Sequence, residues 1–184
     1  MKMNLLQIYY LIIGIYGFLD LLVQKNSKSV FSSKSNDKTY WPIFISFILT
    51  LAALPAEWEF FNKNENIYLA VTGIIICMTA TIVRVKGQLD LKNCFSTRIE
   101  KQENHVLIKT GSYKIIRHPL YLSILLLMVG ANVMLLSYFS WIITGIAFYF
   151  IFRRISKEEK FLMDLFTDYS EYMKSTKKVI PYIY

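Results

Sequence analysis

Cysteine and histidine are nearly absent from this chain, and each shortage narrows its chemistry. Its two cysteines, Cys77 in an apolar block and Cys94 in a basic loop, have no CxxC partner. That argues against a disulfide framework or a thiolate metal site, so no metal is expected. There is no GxGxxG loop. The apolar blocks contain no Lys or Arg and a single acid, Asp20, which speaks against an ion or proton pathway. Asp20 itself reads as an interfacial residue whose carboxylate reaches toward water. No basic arm exists either. The net charge of +8 comes from lysines and arginines that flank apolar blocks, a pattern set by membrane topology, so no nucleic-acid partner is expected. The N-terminal block has one preceding lysine and no small-residue cleavage pattern, and reads as a retained helix.

What is abundant is apolar sequence, at 54% of 184 residues, against about 45–50% for an ordinary soluble domain. It lies in blocks long enough for membrane spans, with the charges between them. The predicted fold is all-α and polytopic, with about five transmembrane helices near 5–23, 40–54, 67–83, 120–137 and 138–152. A loop precedes the fourth, and an amphipathic helix over 155–173 follows the fifth. Gly14 and Gly17 offer close helix packing in the first span. Pro55 closes the second, with Trp41 and Trp58 as interfacial anchors. With five spans, 19 of the 21 basic residues fall on one side, in groups of four, eight and seven. The positive-inside rule then puts that side in the cytoplasm and the N-terminus outside. Residues 1–83 form an N-terminal helical part, and residues 84–184 form a region that carries the chemistry.

Both histidines, His105 and His118, lie in one segment that also holds Leu107, Gly111, Tyr113, Arg117, Pro119 and Tyr121. Gly111 permits a turn, and Pro119 suits the first turn of a helix. Arg117 and His118 therefore sit at the mouth of the fourth span, as an anion site at a helix N-terminus or as a plain interfacial basic pair. Downstream, Glu158 and Glu159 follow Ile155 by three and four residues, on or beside the apolar stripe of that helix. They either favour a helix's first turn or face a pocket that holds a cation or a diol.

These residues resemble the signatures of the membrane-bound isoprenylcysteine carboxyl methyltransferases and the related phospholipid methyltransferases. The first signature, HxLxxxGxYxxxRHPxY, is met by His105, Leu107, Gly111, Tyr113, Arg117, His118, Pro119 and Tyr121. The second is met by Arg154, Ile155, Glu158, Glu159, Phe166, Tyr169, Tyr172, Ile180 and Pro181. The chain departs from the family at Ser123 and Ser112, which stand where Gly and Pro are usual. It also departs at Phe166-Thr167-Asp168-Tyr169, which lacks the Gly of FGxxY.

The resemblance implies a methyltransferase with S-adenosyl-L-methionine as cofactor. His105, Leu107, Gly111, Tyr113, His118, Pro119, Tyr121, Glu158 and Glu159 would form the cofactor pocket. The acceptor would be lipophilic and enter from the bilayer. A carboxylate acceptor would need a cation to orient it, Arg117 or Arg154. An amine, thiol or hydroxyl would need a base, His118 or a glutamate such as Glu159. Two rivals stand beside this reading: an NADPH-dependent sterol or enone reductase, and a non-catalytic membrane scaffold that would leave both glutamates solvated.

Overall fold

A computed structural model describes residues 4–25, 38–61, 66–91 and 106–181. Five long helices follow the apolar blocks: α1 (Leu5–Lys25), α2 (Tyr40–Phe60), α3 (Ile67–Leu91), α4 (Pro119–Met134) and α5 (Ser140–Leu165). A 3₁₀ turn at Gly111–Lys114 precedes α4, and a short α6 (Tyr169–Ser175) ends the described helices. Among the described residues the only β pairing is an isolated parallel bridge between Ile116 and Lys177. The helices α1, α2 and α3 are long and apolar enough to cross a membrane, and α4 is a shorter apolar helix.

Several expected boundaries move, each for a physical reason. The second helix does not stop at Pro55 but runs through it to Phe60. A proline costs the helix the hydrogen bond to the carbonyl four residues back. Here that carbonyl, of Leu51, accepts instead from the hydroxyl of the buried Tyr9 at 2.9 Å. Trp58 is therefore inside the helix and packed in the core at 7% exposure, not an interfacial anchor, whereas Trp41 is exposed. The third helix continues past Arg84 and Lys86 to Leu91, so a division after residue 83 falls within α3. The fifth apolar block and the first part of the expected amphipathic helix are one continuous α5. The chain bends only at Phe166, whose φ −123°, ψ 117° is ordinary extended backbone. The turn into α6 thus needs no glycine.

The close approach of α3 and α4 depends on glycine. A Cβ on Gly73 would lie 2.5 Å from the Met134 backbone nitrogen, and Gly130 faces Cys77 and Gly73 across the same seam. The pair expected to permit close packing, Gly14 and Gly17, has nothing within 4 Å of where a Cβ would sit. At that same end of the bundle, Glu57 of α2 caps the start of α5. Its carboxylate accepts from the N–H groups of Tyr138, Phe139 (3.0 Å) and Ser140 (3.0 Å), and from the Ser140 hydroxyl at 2.8 Å. The Ser140 N–H is one of the donors that the first turn of a helix leaves unsatisfied.

Gly73→Ala should lower unfolding stability in detergent by about 1–3 kcal/mol, the usual cost of forcing extra atoms into a packed seam. Gly14→Ala should leave it unchanged or raise it slightly. Equal effects at the two positions would contradict this packing.

Candidate functional site

The other end of the bundle gathers the C-terminal ends of α1, α3 and α5 and the N-terminal ends of α2 and α4. The segment leading into α4 is pinned first from α3. The Asp90 carboxylate accepts from the Ser112 N–H (2.7 Å) and hydroxyl (2.6 Å). Gly111, at φ +62°, packs against that same carboxylate. A side chain there would face both a left-handed backbone and Asp90, so the glycine is required twice. The Ser112 hydroxyl, where a proline is usual in the resembled family, makes one of these bonds.

Arg117 is buried and reaches the C-terminal half in three places. Its Nε donates to Glu159 Oε1 at 2.8 Å, and its Nη1 donates to the carbonyls of Thr176 (2.6 Å) and Met173 (3.2 Å). The backbone follows the same path. The Arg117 and His118 N–H groups donate to the Lys177 and Lys178 carbonyls at 2.8 and 3.1 Å. The Tyr172 hydroxyl donates to the Tyr113 carbonyl at 2.6 Å. Lys109 pairs with Asp168 at the rim. The tail after α5 is thus strapped over the strip before α4.

The two glutamates differ in use. Glu159, 4% exposed, takes Arg117 on Oε1, lies 3.3 Å from His118 Nε2, and takes Lys178 Nζ on Oε2 at 3.1 Å. Burial by itself would raise its pKa. Hydrogen bonds from His118 and Arg117, with charge and a further bond from His118 and Lys178, outweigh that and hold it at about 2. Glu158 is half-buried and accepts the Tyr121 hydroxyl on Oε2 at 2.7 Å. Among the described residues its other oxygen has no partner. Tyr121 in turn accepts from Arg154 Nε at 2.8 Å, and Arg154 Nη1 donates to Thr39 Oγ1 at 2.6 Å. His118 lies beside Tyr121, with ring centroids 5.7 Å apart. The Tyr169 hydroxyl is buried, without a partner among the described residues, on the Glu159 side of the same seam.

Of the residues singled out in the sequence, Gly111, Tyr113, Arg117, His118, Pro119, Tyr121, Arg154, Glu158 and Glu159 therefore converge. Leu107 is half-buried on the approach to the turn, and His105 lies outside the described residues. Arg117 and Arg154 are not loose cations awaiting an acid, because both are spent on protein groups. Glu159 does not face an open pocket but is closed in by the chain's own cations.

A further charged cluster was not apparent as part of a site. Asp20 of α1 does not reach for water. Its Oδ1 accepts from Arg84 Nε at 2.6 Å and Gln88 Nε2 at 2.7 Å, and its Oδ2 accepts from Gln24 at 2.6 Å. The i, i+4 spacing of Arg84 and Gln88 was the available signal, hidden because both read as the polar end of a span.

The unspent oxygen of Glu158 and the orphaned Tyr169 hydroxyl are acceptor and donor groups that fit a ribose diol or an ammonium. Comparison with known proteins adds the chemistry. A family model for isoprenylcysteine carboxyl methyltransferases matches residues 73–164. A Dictyostelium discoideum protein-S-isoprenylcysteine O-methyltransferase is 31% identical over 158 residues, covering 83% of this chain and 67% of that protein. The Saccharomyces cerevisiae protein of the same name is 32% identical over 117 residues, covering 61% of this chain and 49% of that one. A solved structure of a eukaryotic intramembrane Ras methyltransferase is similar in fold. Its TM-score is 0.75 at 23% identity, covering 97% of this chain and 67% of that one.

Glu159→Gln should destabilise the fold by about 3–5 kcal/mol, as removal of one partner from a buried pair does. The folded pKa lies below the ordinary value of 4.5. Glu159 therefore contributes its stability fully above about pH 4.5 and loses it as pH falls toward about 2. Unfolding followed across that window should decline with acid in the native chain, and the decline should be smaller in E159Q. Parallel profiles would contradict the pairing.

Proposed function

This chain belongs to the isoprenylcysteine carboxyl methyltransferase family, and on that premise we propose that it methylates the carboxylate of a prenylcysteine-like lipid, with S-adenosylmethionine as donor, at the membrane–cytosol boundary. Membership makes it a multi-pass membrane protein and a methyltransferase. That sets aside the reductase. Burial of Glu159 among three partners sets aside the scaffold, which left the glutamates solvated.

The observation that carries the proposal is the joining of the Arg117–Tyr121 strip to the Glu158–Glu159 pair through bonds of 2.8 and 2.7 Å. Residues 84–184 supply both pieces and form the catalytic region. The strip lies at the basic end of the bundle, and this supports a site facing the cytoplasm with five spans and the N-terminus outside.

S-adenosylmethionine supplies a methyl group on a sulfonium; the carboxylate oxygen takes the methyl, the C–S electron pair stays on sulfur, and no proton moves. Glu158, held by Tyr121, offers its unspent oxygen to the cofactor's hydroxyls or ammonium. His118, Pro119, Tyr113, Gly111 and Leu107 shape the wall around it; His105 lies outside the described residues. Glu159, Arg117 and Arg154 act by fixing that wall. An α-carboxyl group, with a pKa near 3.3–3.7, is ionised at neutral pH, so no residue need act as base. Orientation is what the chain must provide, and a well-aligned pair gains ~7–11 kcal/mol from it. The acceptor's carboxylate is oriented by Arg84, whose Nε is spent on Asp20 and whose Nη groups have no partner among the described residues. The lipid tail leaves sideways between helices.

Purified protein in lipid discs should bind S-adenosylmethionine by calorimetry. With methyl-labelled donor it should form a base-labile ester on an N-acyl-S-prenylcysteine. Glu158→Gln should weaken cofactor binding roughly ten- to hundredfold, the value of a hydrogen bond to a charged group. Arg84→Met should lower kcat/KM for the acceptor by a similar factor and leave cofactor affinity unchanged. A folded preparation that binds no S-adenosylmethionine would contradict the proposal.

A further inference from the structure

Along α5, Ile142, Ile146, Tyr149, Arg153, Lys157 and Lys160 recur every three or four positions and so share one helix face. All six are exposed. The stripe changes character partway. Its first three residues are apolar or aromatic, and its last three are cations. Among the described residues Lys157 and Lys160 have no acidic partner, and the polar contact of Arg153 is with Tyr149. Asp164 follows one turn past Lys160. The acids of the site point elsewhere, Glu158 to Tyr121 and Glu159 to Arg117.

Two observations set the depth of that change in a membrane. Arg154, next to Arg153 in the chain, donates from Nη1 to Thr39 Oγ1 at 2.6 Å, so the start of α2 stands level with it. That start carries Tyr40 and the exposed Trp41, clustered with Phe44, and such aromatics sit among lipid headgroups. The second observation is the fold of Arg153 itself. A basic residue that only marked the watery side would extend outward. Arg153 instead turns back over Tyr149, with its guanidinium carbon 5.8 Å from the ring centroid and Nη1 donating to the hydroxyl at 3.4 Å. Its charge is thus held at headgroup level, one turn above the apolar stripe.

We propose that Arg153 and Lys157, backed by Lys160, bind the phosphate of an anionic phospholipid whose acyl chains lie along Ile142, Ile146 and Tyr149. A guanidinium stacked on an aromatic ring keeps its planar fork for bidentate bonds to phosphate. Lys157 is one turn on, where Cβ atoms stand about 5–6 Å apart, close enough for its ammonium to share that phosphate. Lys160 then meets the outer part of the headgroup, where a choline cation would be repelled and a glycerol or a second acid is not. The apolar continuation of the stripe favours a lipid over a free phosphate or an acidic peptide, which would leave it unused. The bound lipid holds α5 from outside, at the turns whose inner side carries Arg154, Glu158 and Glu159.

Native mass spectrometry of the detergent-purified protein tests this, with phosphatidylglycerol or phosphatidylcholine of identical acyl chains titrated in. The native protein should hold one phosphatidylglycerol about tenfold or more tighter than phosphatidylcholine, since each basic residue near an anionic surface contributes about fivefold. The double variant Arg153→Gln/Lys157→Gln should lose that preference. A charge-matched control, Lys174→Gln/Lys177→Gln on the exposed tail, should keep it. If the first double variant does not fold, Lys157→Gln alone should lose about fivefold. Equal retention of the two lipids by the native protein would overturn the proposal. So would an equal loss in the control, which would leave a diffuse basic surface and no site.

Discussion

A buried ion pair holds the two halves of the site to each other. Arg117 and Glu159 are 42 residues apart and meet at 2.8 Å, out of water. Charges so placed are expensive unless every lone pair and N–H is used, and here the use is thorough. The guanidinium also takes two tail carbonyls, and the carboxylate also takes His118 and Lys178. The pair therefore dictates where the C-terminal tail lies, where α4 begins, and how far Glu158 stands from Tyr121.

The rest of the bundle serves that junction by fixing helix positions at both ends. At the far end, the glycine seam of α3 and α4 and the Glu57 cap on α5 set how the helices cross. At the near end, Asp20 and Asp90 tie α1 and the pre-α4 turn to α3. The helix α3 is common to all of these but the Glu57 cap. Its continuation beyond the apolar block carries Arg84, Gln88 and Asp90 into the site, so the membrane-spanning and chemical parts of the chain are one piece of helix.

Much of this was legible in the sequence. Apolar blocks gave the helices, and the spacing of Arg117, His118, Pro119 and Tyr121 against Glu158 and Glu159 gave the two pieces that meet. What could not be read was which group each charge would find. Glu158 and Glu159 look alike in sequence, and only the fold turns one toward Arg117, Lys178 and His118 and the other toward a tyrosine. Asp20, Arg84 and Gln88 read as span-end polar residues, because a pairing 64 residues apart leaves no local trace. Pro55 reads as a stop, because the hydroxyl that rescues its lost bond comes from another helix. The Gly14–Gly17 pair carries a packing signal that no neighbouring helix answers within the described residues.

The most direct test of the central junction is a double-mutant cycle on Arg117→Met and Glu159→Met, with unfolding free energy measured in the same lipid or detergent. Each single change leaves a buried charge behind, while the double change removes both. The double variant should therefore be more stable than at least one of the singles, with losses far from additive. Additive losses would mean that the two residues do not face each other, and that the strip before α4 and the acids of α5 do not form one site.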